Sequence, residues 1–68
     1  MNEIKITTEY ITLQQLMKFS GAVAIGSEAK ILIQSGKVKV NGEICLMRGK
    51  KMRIGDNFEY NGESYTVV

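Results

Sequence analysis

Two Asn-Gly pairs, Asn41-Gly42 and Asn61-Gly62, constrain the fold of this 68-residue chain more than any other feature. Asn-Gly is the preferred two-residue connection of a β-hairpin, because both residues tolerate the positive φ angles of a type I′ turn. Before the first pair, Val38–Val40 alternates apolar and polar residues, as a hairpin strand requires. The sequence therefore predicts two β-hairpins. Their strands are predicted at 38–40, 43–46, 58–60 and 64–68.

Two short helices are predicted between Thr12 and Gly36. The first covers 13–20, because Thr12 and Gln15 have the spacing of a capping box at its start. The second begins at Ser27, which is a good N-cap, and ends before Gly36, which can take the left-handed C-terminal position. The apolar residues expected to face the core are Leu13, Leu16, Met17, Ala29, Leu32 and Ile33. The methionines expected to fill gaps in the core are Met17, Met47 and Met52.

The remaining segments complete an α+β prediction. A short edge strand is expected at 4–7, where apolar and β-branched residues alternate. The segment 48–53 is expected to be an exposed crossing segment, because it carries four positive charges without periodicity. The predicted fold is two short helices packed on a small, mostly antiparallel sheet. We expect one domain, 1–68, because a chain of this length buries only about 60% of its unfolded surface.

Positive charge is concentrated in the segment Lys30–Arg53. This segment holds seven of the nine lysines and arginines and one acid, Glu43, so its net charge is +6, whereas the rest of the chain has a net charge of −4. The overall charge of +2 hides this basic region. Because a concentrated positive region attracts polyanions, the sequence predicts binding of nucleic acid.

Composition favours a binding protein over an enzyme. The chain has no histidine, its one cysteine, Cys45, lies in an apolar segment, and its carboxylates are scattered. Nucleophilic, acid-base and metal-assisted catalysis need combinations of such groups, so we expect no catalytic residue, metal, cofactor or small-molecule substrate. The sequence has no apolar run of roughly 20 residues and no signal-peptide pattern, so we expect a cytoplasmic location without membrane contact.

The segment from residue 12 to residue 60 resembles a known RNA-binding domain. A helix ended by glycine is followed by the strand Val38–Val40, the turn Asn41-Gly42 and, later, Gly55-Asp56 before another strand. In this order the elements resemble the domain named after ribosomal protein S-four. The basic segment and the short length are similar to the stand-alone bacterial members of the YaaA type. The resemblance implies the alpha-L RNA-binding motif, with structured RNA as the partner.

The resemblance also implies which residues meet RNA phosphates. They lie at the start and on the exposed face of the second helix, on the following hairpin and in the segment 48–53. The candidate RNA-binding residues are Ser27, Lys30, Lys37, Lys39, Asn41, Arg48, Lys50, Lys51 and Arg53. Many family members have Ser-Arg where this chain has Ile25-Gly26, so one frequent phosphate contact is absent. Gly26 and the first amides of the second helix can still hold a phosphate through backbone donors.

The positions of the aromatic residues suggest the kind of RNA. Tyrosines and phenylalanines all lie outside the basic segment Lys30–Arg53. Modules that bind single strands depend on aromatic side chains on which bases stack. The sequence therefore favours recognition of folded RNA by shape and phosphate position over reading of bases.

Two functional hypotheses follow from the sequence. The first is a monomeric, non-enzymatic binder of structured RNA, either ribosomal or tRNA-like, that associates with a ribosomal particle. The second is a protein-interaction adapter whose basic face meets an acidic protein. Charge by itself does not distinguish RNA from DNA, because contacts to the 2′-hydroxyl carry that difference.

Overall fold

The computed structural model describes residues 2–68, which form the predicted α+β fold. The helices in this range are α1 (Leu13–Phe19) and α2 (Gly26–Gln34). The strands in the same range are β1 (Asn2–Ile4), β2 (Ile11–Thr12), β3 (Val38–Val40), β4 (Glu43–Ile44), β5 (Lys51–Met52), β6 (Asn57–Tyr60) and β7 (Glu63–Val67).

Within residues 2–68, five strands form one sheet in the order β1-β7-β6-β3-β4. The β3·β4, β3·β6 and β6·β7 pairs are antiparallel, whereas β1 pairs with β7 in parallel. The sheet is therefore mostly antiparallel, as predicted. The strand expected at 4–7 does lie at an edge, but it covers Asn2–Ile4 instead.

Both Asn-Gly hairpins are confirmed. Asn41 and Gly42 have φ angles of 50° and 88°, and Asn61 and Gly62 have φ angles of 53° and 79°. Two consecutive positive φ angles are the mark of a type I′ turn, whose twist matches that of the flanking strands. β4 ends two residues earlier than predicted, although the Cys45 amide still donates to the Val38 carbonyl at 3.0 Å.

The first helix is confirmed to within one residue, and its N-cap is the predicted one. The Thr12 hydroxyl accepts a hydrogen bond from the Gln15 amide at 3.3 Å. Gly21, with φ of 84°, follows the end of α1.

The predicted start of the second helix is wrong. α2 begins at Gly26, and its N-cap is Ile25, whose backbone is extended with φ −136° and ψ 155°. Ser27 is therefore the second residue of the helix rather than its cap. The Gly26 carbonyl is held by the side chain of Gln14 at 2.8 Å, a tertiary contact that the capping preference of serine does not anticipate.

The segment 48–53 is more ordered than predicted. Lys51–Met52 form β5, which pairs antiparallel with β2, so that Ile11 lies opposite Met52 and Thr12 opposite Lys51. Met52 is fully buried while Lys51 is exposed. Strands of two residues are too short to show the alternation from which strands are predicted.

The core lies between the two helices and the inner sides of the strands. Its buried residues are Leu13, Leu16, Met17, Val23, Ala29, Ile33, Val38, Val40, Met52, Phe58 and Val67. The predicted core residues of both helices are confirmed, except that Leu32 is only partly buried. The expectation for the methionines holds for Met17 and Met52 but is wrong for Met47, which is 67% exposed.

Candidate nucleic-acid interface

The segment 48–53, the last part of the basic segment Lys30–Arg53, lies across the start of α1 and is held there by hydrogen bonds of its main chain. The Lys50 carbonyl accepts from the Leu13 amide at 2.8 Å, and the Arg48 carbonyl accepts from the Gln14 amide at 3.0 Å. These bonds satisfy amides that have no acceptor within a helix. Met52 is buried in the core, whereas the side chains of the segment's cations remain exposed. Its cations, named here the basic strip, are Arg48, Lys50, Lys51 and Arg53.

Gln14 connects the basic strip to the start of α2. Its amide donates to the Arg48 carbonyl at 3.0 Å, and its side-chain Nε2 donates to the Gly26 carbonyl at 2.8 Å. The strip and the first turn of α2 therefore meet at one residue. This contact places the two regions predicted to meet phosphates next to each other.

The first turn of α2 contains both favourable and unfavourable groups for an anion. By helix geometry, its first amides have no intrahelical acceptor, and the N-cap Ile25 has no polar side-chain atom to satisfy them. Ser27 and Lys30 are exposed in and just after this turn. Glu28 is exposed there as well, where it interacts favourably with the helix dipole but repels a phosphate.

Lys37 and Lys39 are exposed, and Lys39 lies on the face of β3 opposite to the buried Val38 and Val40. The two lysines line a shallow recess together with Glu59, which is directly opposite Lys39 in the strand register. An acid beside two lysines lowers the positive potential of this region relative to the strip.

Asn41 is exposed, but its side chain is already engaged within the protein. Its Oδ1 accepts from the Asn57 amide at 3.1 Å, and its Nδ2 donates to Oδ1 of Asp56 at 3.2 Å. The other carboxylate oxygen of Asp56 accepts from the Arg53 amide at 2.8 Å. Asn41 thus links the β3–β4 turn to the end of the basic strip.

The structure also shows an exposed apolar recess that the sequence analysis missed. Ile44, Leu46 and Met47 are all more than half exposed and line an open recess of about 470 Å³ with Lys50. Ile44 lies opposite the exposed Lys39 in the strand register, and Leu46 and Met47 follow the end of β4. Nothing in the local apolar pattern distinguishes them from core residues.

One aromatic side chain reaches the basic strip. The Lys51 ammonium lies 5.1 Å from the centre of the Tyr10 ring. The two residues are 41 positions apart in the sequence, and the β2·β5 pairing brings them together. The aromatic residues are therefore not all remote from the basic region in space.

These observations define a small α+β domain in which a helix pair and a β-hairpin adjoin a strip of exposed cations. The chain belongs to the S4 domain family, which matches residues 4–68. The resemblance deduced from the motifs is therefore confirmed.

Relatives that match most of the chain include the following two proteins. A Bacillus subtilis (strain 168) protein named "Probable ribosome maturation protein RlbA" is 40% identical over 68 residues, which is 98% of this chain and 96% of that protein. An Escherichia coli (strain K12) protein named "Putative RNA-binding protein YbcJ" is 34% identical over 59 residues, which is 87% of this chain and 84% of that protein.

In residues 2–68 no helix is long and apolar enough to cross a membrane. In the same range no group of three or more cysteine, aspartate or glutamate side chains is arranged to hold a metal ion.

Proposed function

We propose that this protein is a non-enzymatic binder of structured RNA, specifically of ribosomal RNA within a ribosomal particle, and that it docks on phosphates through the basic strip. The S4 domain family and the names of both relatives, which refer to ribosome maturation and to RNA binding, support RNA as the partner. In this proposal the protein acts as a monomer in the cytoplasm.

The observation that carries the proposal is the main-chain attachment of the basic strip to α1. Because carbonyls of Arg48 and Lys50 are hydrogen-bonded to the helix, the cationic side chains project from an ordered backbone. An ordered support reduces the conformational entropy lost on binding. Phosphate contacts of this kind set the position of a protein on RNA without reading sequence.

The other candidate residues flank the strip in this proposal. The first amides of α2 are suited to one phosphate, as helix N-termini are in general. Lys30, Lys37 and Lys39 extend the positive surface, with Lys39 weakened by Glu59. Asn41 orients the hairpin beside the strip through its bonds to Asp56 and Asn57.

Neutralising one strip cation tests the proposal. We expect Lys50→Gln to weaken binding of a fluorescently labelled ribosomal RNA hairpin and to reduce the slope of log affinity against log salt by about 1. Lys5→Gln is the matched control, because it removes the same charge from an exposed residue outside the strip. Fluorescence anisotropy at several salt concentrations gives both slopes. Equal weakening by the two variants would mean that net charge, not the strip, determines affinity.

The exposed apolar recess favours a second candidate function. An adapter for an acidic protein would use the strip together with Ile44, Leu46 and Met47, since protein interfaces combine apolar centres with polar rims. Capture of partners from a cell lysate, with and without ribonuclease, separates the candidates. Partners lost after ribonuclease treatment support RNA as the tether, whereas partners retained after it support the adapter.

A further inference from the structure

An open groove next to the basic strip contains both aromatic and basic side chains. It has a volume of about 650 Å³, which falls within the range of roughly 300–1,000 Å³ typical of small-ligand sites. Its lining residues are Thr8, Tyr10, Ile11, Gln15, Lys18 and Phe19.

The aromatic side chains of the groove are accessible. Phe19, the last residue of α1, is 64% exposed, and Tyr10 is 40% exposed. The Thr8 hydroxyl donates to the Tyr10 carbonyl at 2.8 Å and so fixes the loop that carries the tyrosine. A phenylalanine this exposed contributes little to the core, so packing in the core does not explain why an aromatic residue is found at this position.

Two basic groups are associated with the groove. Lys18 is part of its lining, and the Lys51 ammonium lies 5.1 Å from the centre of the Tyr10 ring. Because Lys51 belongs to the basic strip, the groove is continuous with the surface proposed to hold phosphates. Gln15 adds an amide that can pair with the polar edge of a base.

We propose that this groove binds one unpaired nucleobase of the RNA, stacked on Phe19 and Tyr10, while Lys18 and Lys51 contact the adjoining phosphates. The inference rests on the proposed RNA-binding function and specifies the RNA ligand as a duplex with an extruded base. Aromatic faces accept any base, so the site selects for the unpaired state rather than for a sequence. Unlike the strip, the groove makes the affinity for RNA depend on the presence of an unpaired base.

Three RNA hairpins test the inference. They share the same stem and loop and differ at one site in the stem. The first has a bulged 2-aminopurine there, the second has a bulged abasic nucleotide, and the third has no bulge, so that its stem is fully paired. We expect the wild-type protein to bind the 2-aminopurine hairpin about 5-fold or more tightly than the other two, with a change in 2-aminopurine fluorescence on stacking.

Variants of Phe19 assign that preference to the groove. Phe19→Leu keeps an apolar side chain but removes the aromatic face, so the preference should fall to about 1-fold, while Phe19→Tyr should retain it. Ile31→Ala is the control, because Ile31 is similarly exposed, at 66%, and does not line the groove. Circular dichroism confirms that each variant is folded.

The possible results separate the two proposals. Equal, salt-dependent affinity of the wild type for all three hairpins would overturn the base site and leave phosphate docking intact. A preference that survives Phe19→Leu would also overturn it, because the base would then bind elsewhere. Failure to bind any hairpin would overturn the proposed function and the base site together.

Discussion

Asn41 serves the structure in two ways at the tip of the β3–β4 hairpin. Its φ of 50° lies in the left-handed region that asparagine tolerates better than most residues. Its side chain bonds to Asp56 and to the Asn57 amide, 15 and 16 residues further along the chain. The Val-x-Val-Asn-Gly strand and the later Gly-Asp of the S4 pattern are therefore joined by direct hydrogen bonds.

Glycine substitutions at the two turns separate these roles. Asn41→Gly keeps the left-handed backbone but removes both side-chain bonds, so we expect it to lower the free energy of unfolding by about 1–2 kcal/mol. Asn61→Gly is the matched control, because Asn61 has φ of 53° and forms no comparable side-chain bond within residues 2–68. Urea denaturation of both variants measures the difference. Equal stability of the two would mean that the bonds of Asn41 have no net effect.

The N-cap of α2 gives a second prediction about single residues. Ile25→Ser places a hydroxyl at the cap, so we expect the free energy of unfolding to rise by about 1 kcal/mol, or about 4–8 °C in Tm. Little burial is lost, because Ile25 is 56% exposed. Ser27→Ala should change stability by less than about 0.5 kcal/mol, since Ser27 is inside the helix. A large loss from Ser27→Ala would instead make Ser27 the cap.

The two helices differ in how their first amides are satisfied, and this difference can be measured. The Leu13 and Gln14 amides of α1 donate to carbonyls of the basic strip, whereas the Ser27 and Glu28 amides of α2 have no intrahelical acceptor. We expect slower hydrogen exchange by NMR for Leu13 and Gln14 than for Ser27 and Glu28. Similar rates at the two helix starts would contradict the attachment of the strip to α1.

Elements with strong local patterns could be predicted from the sequence, and those that depend on tertiary contacts could not. The Asn-Gly turns and the cap at Thr12 act within a few residues, so both hairpins and α1 were predicted close to their observed positions. β2 and β5 have two residues each and exist because distant segments pair. The start of α2 depends on the contact from Gln14, which local preference does not reveal.

The same limit applies to the candidate interface at the scale of the whole molecule. The basic segment was evident because its charges are close in sequence. Tyr10 and Phe19 lie outside that segment in the sequence, which predicts no stacking platform beside it, yet the β2·β5 pairing places Tyr10 against Lys51. Charge patterning therefore identifies the basic segment on which the proposed phosphate contacts rest, whereas the aromatic groove is visible only in the three-dimensional arrangement.

The segregation of charge across the molecule gives the last prediction. The four cations of the strip and Lys30 of α2 are all exposed, and they are the groups proposed to contact phosphates of one RNA. If about five phosphates are neutralised, log affinity should fall with log salt with a slope of about −3.5 to −4.5. Between 50 and 200 mM salt the affinity should then fall roughly 100- to 500-fold. Titrations with the hairpin whose stem is fully paired measure this slope without a contribution from a bulged base. Measurable binding with a flat salt response would exclude phosphate docking as its source, because the release of counterions is what makes such contacts sensitive to salt.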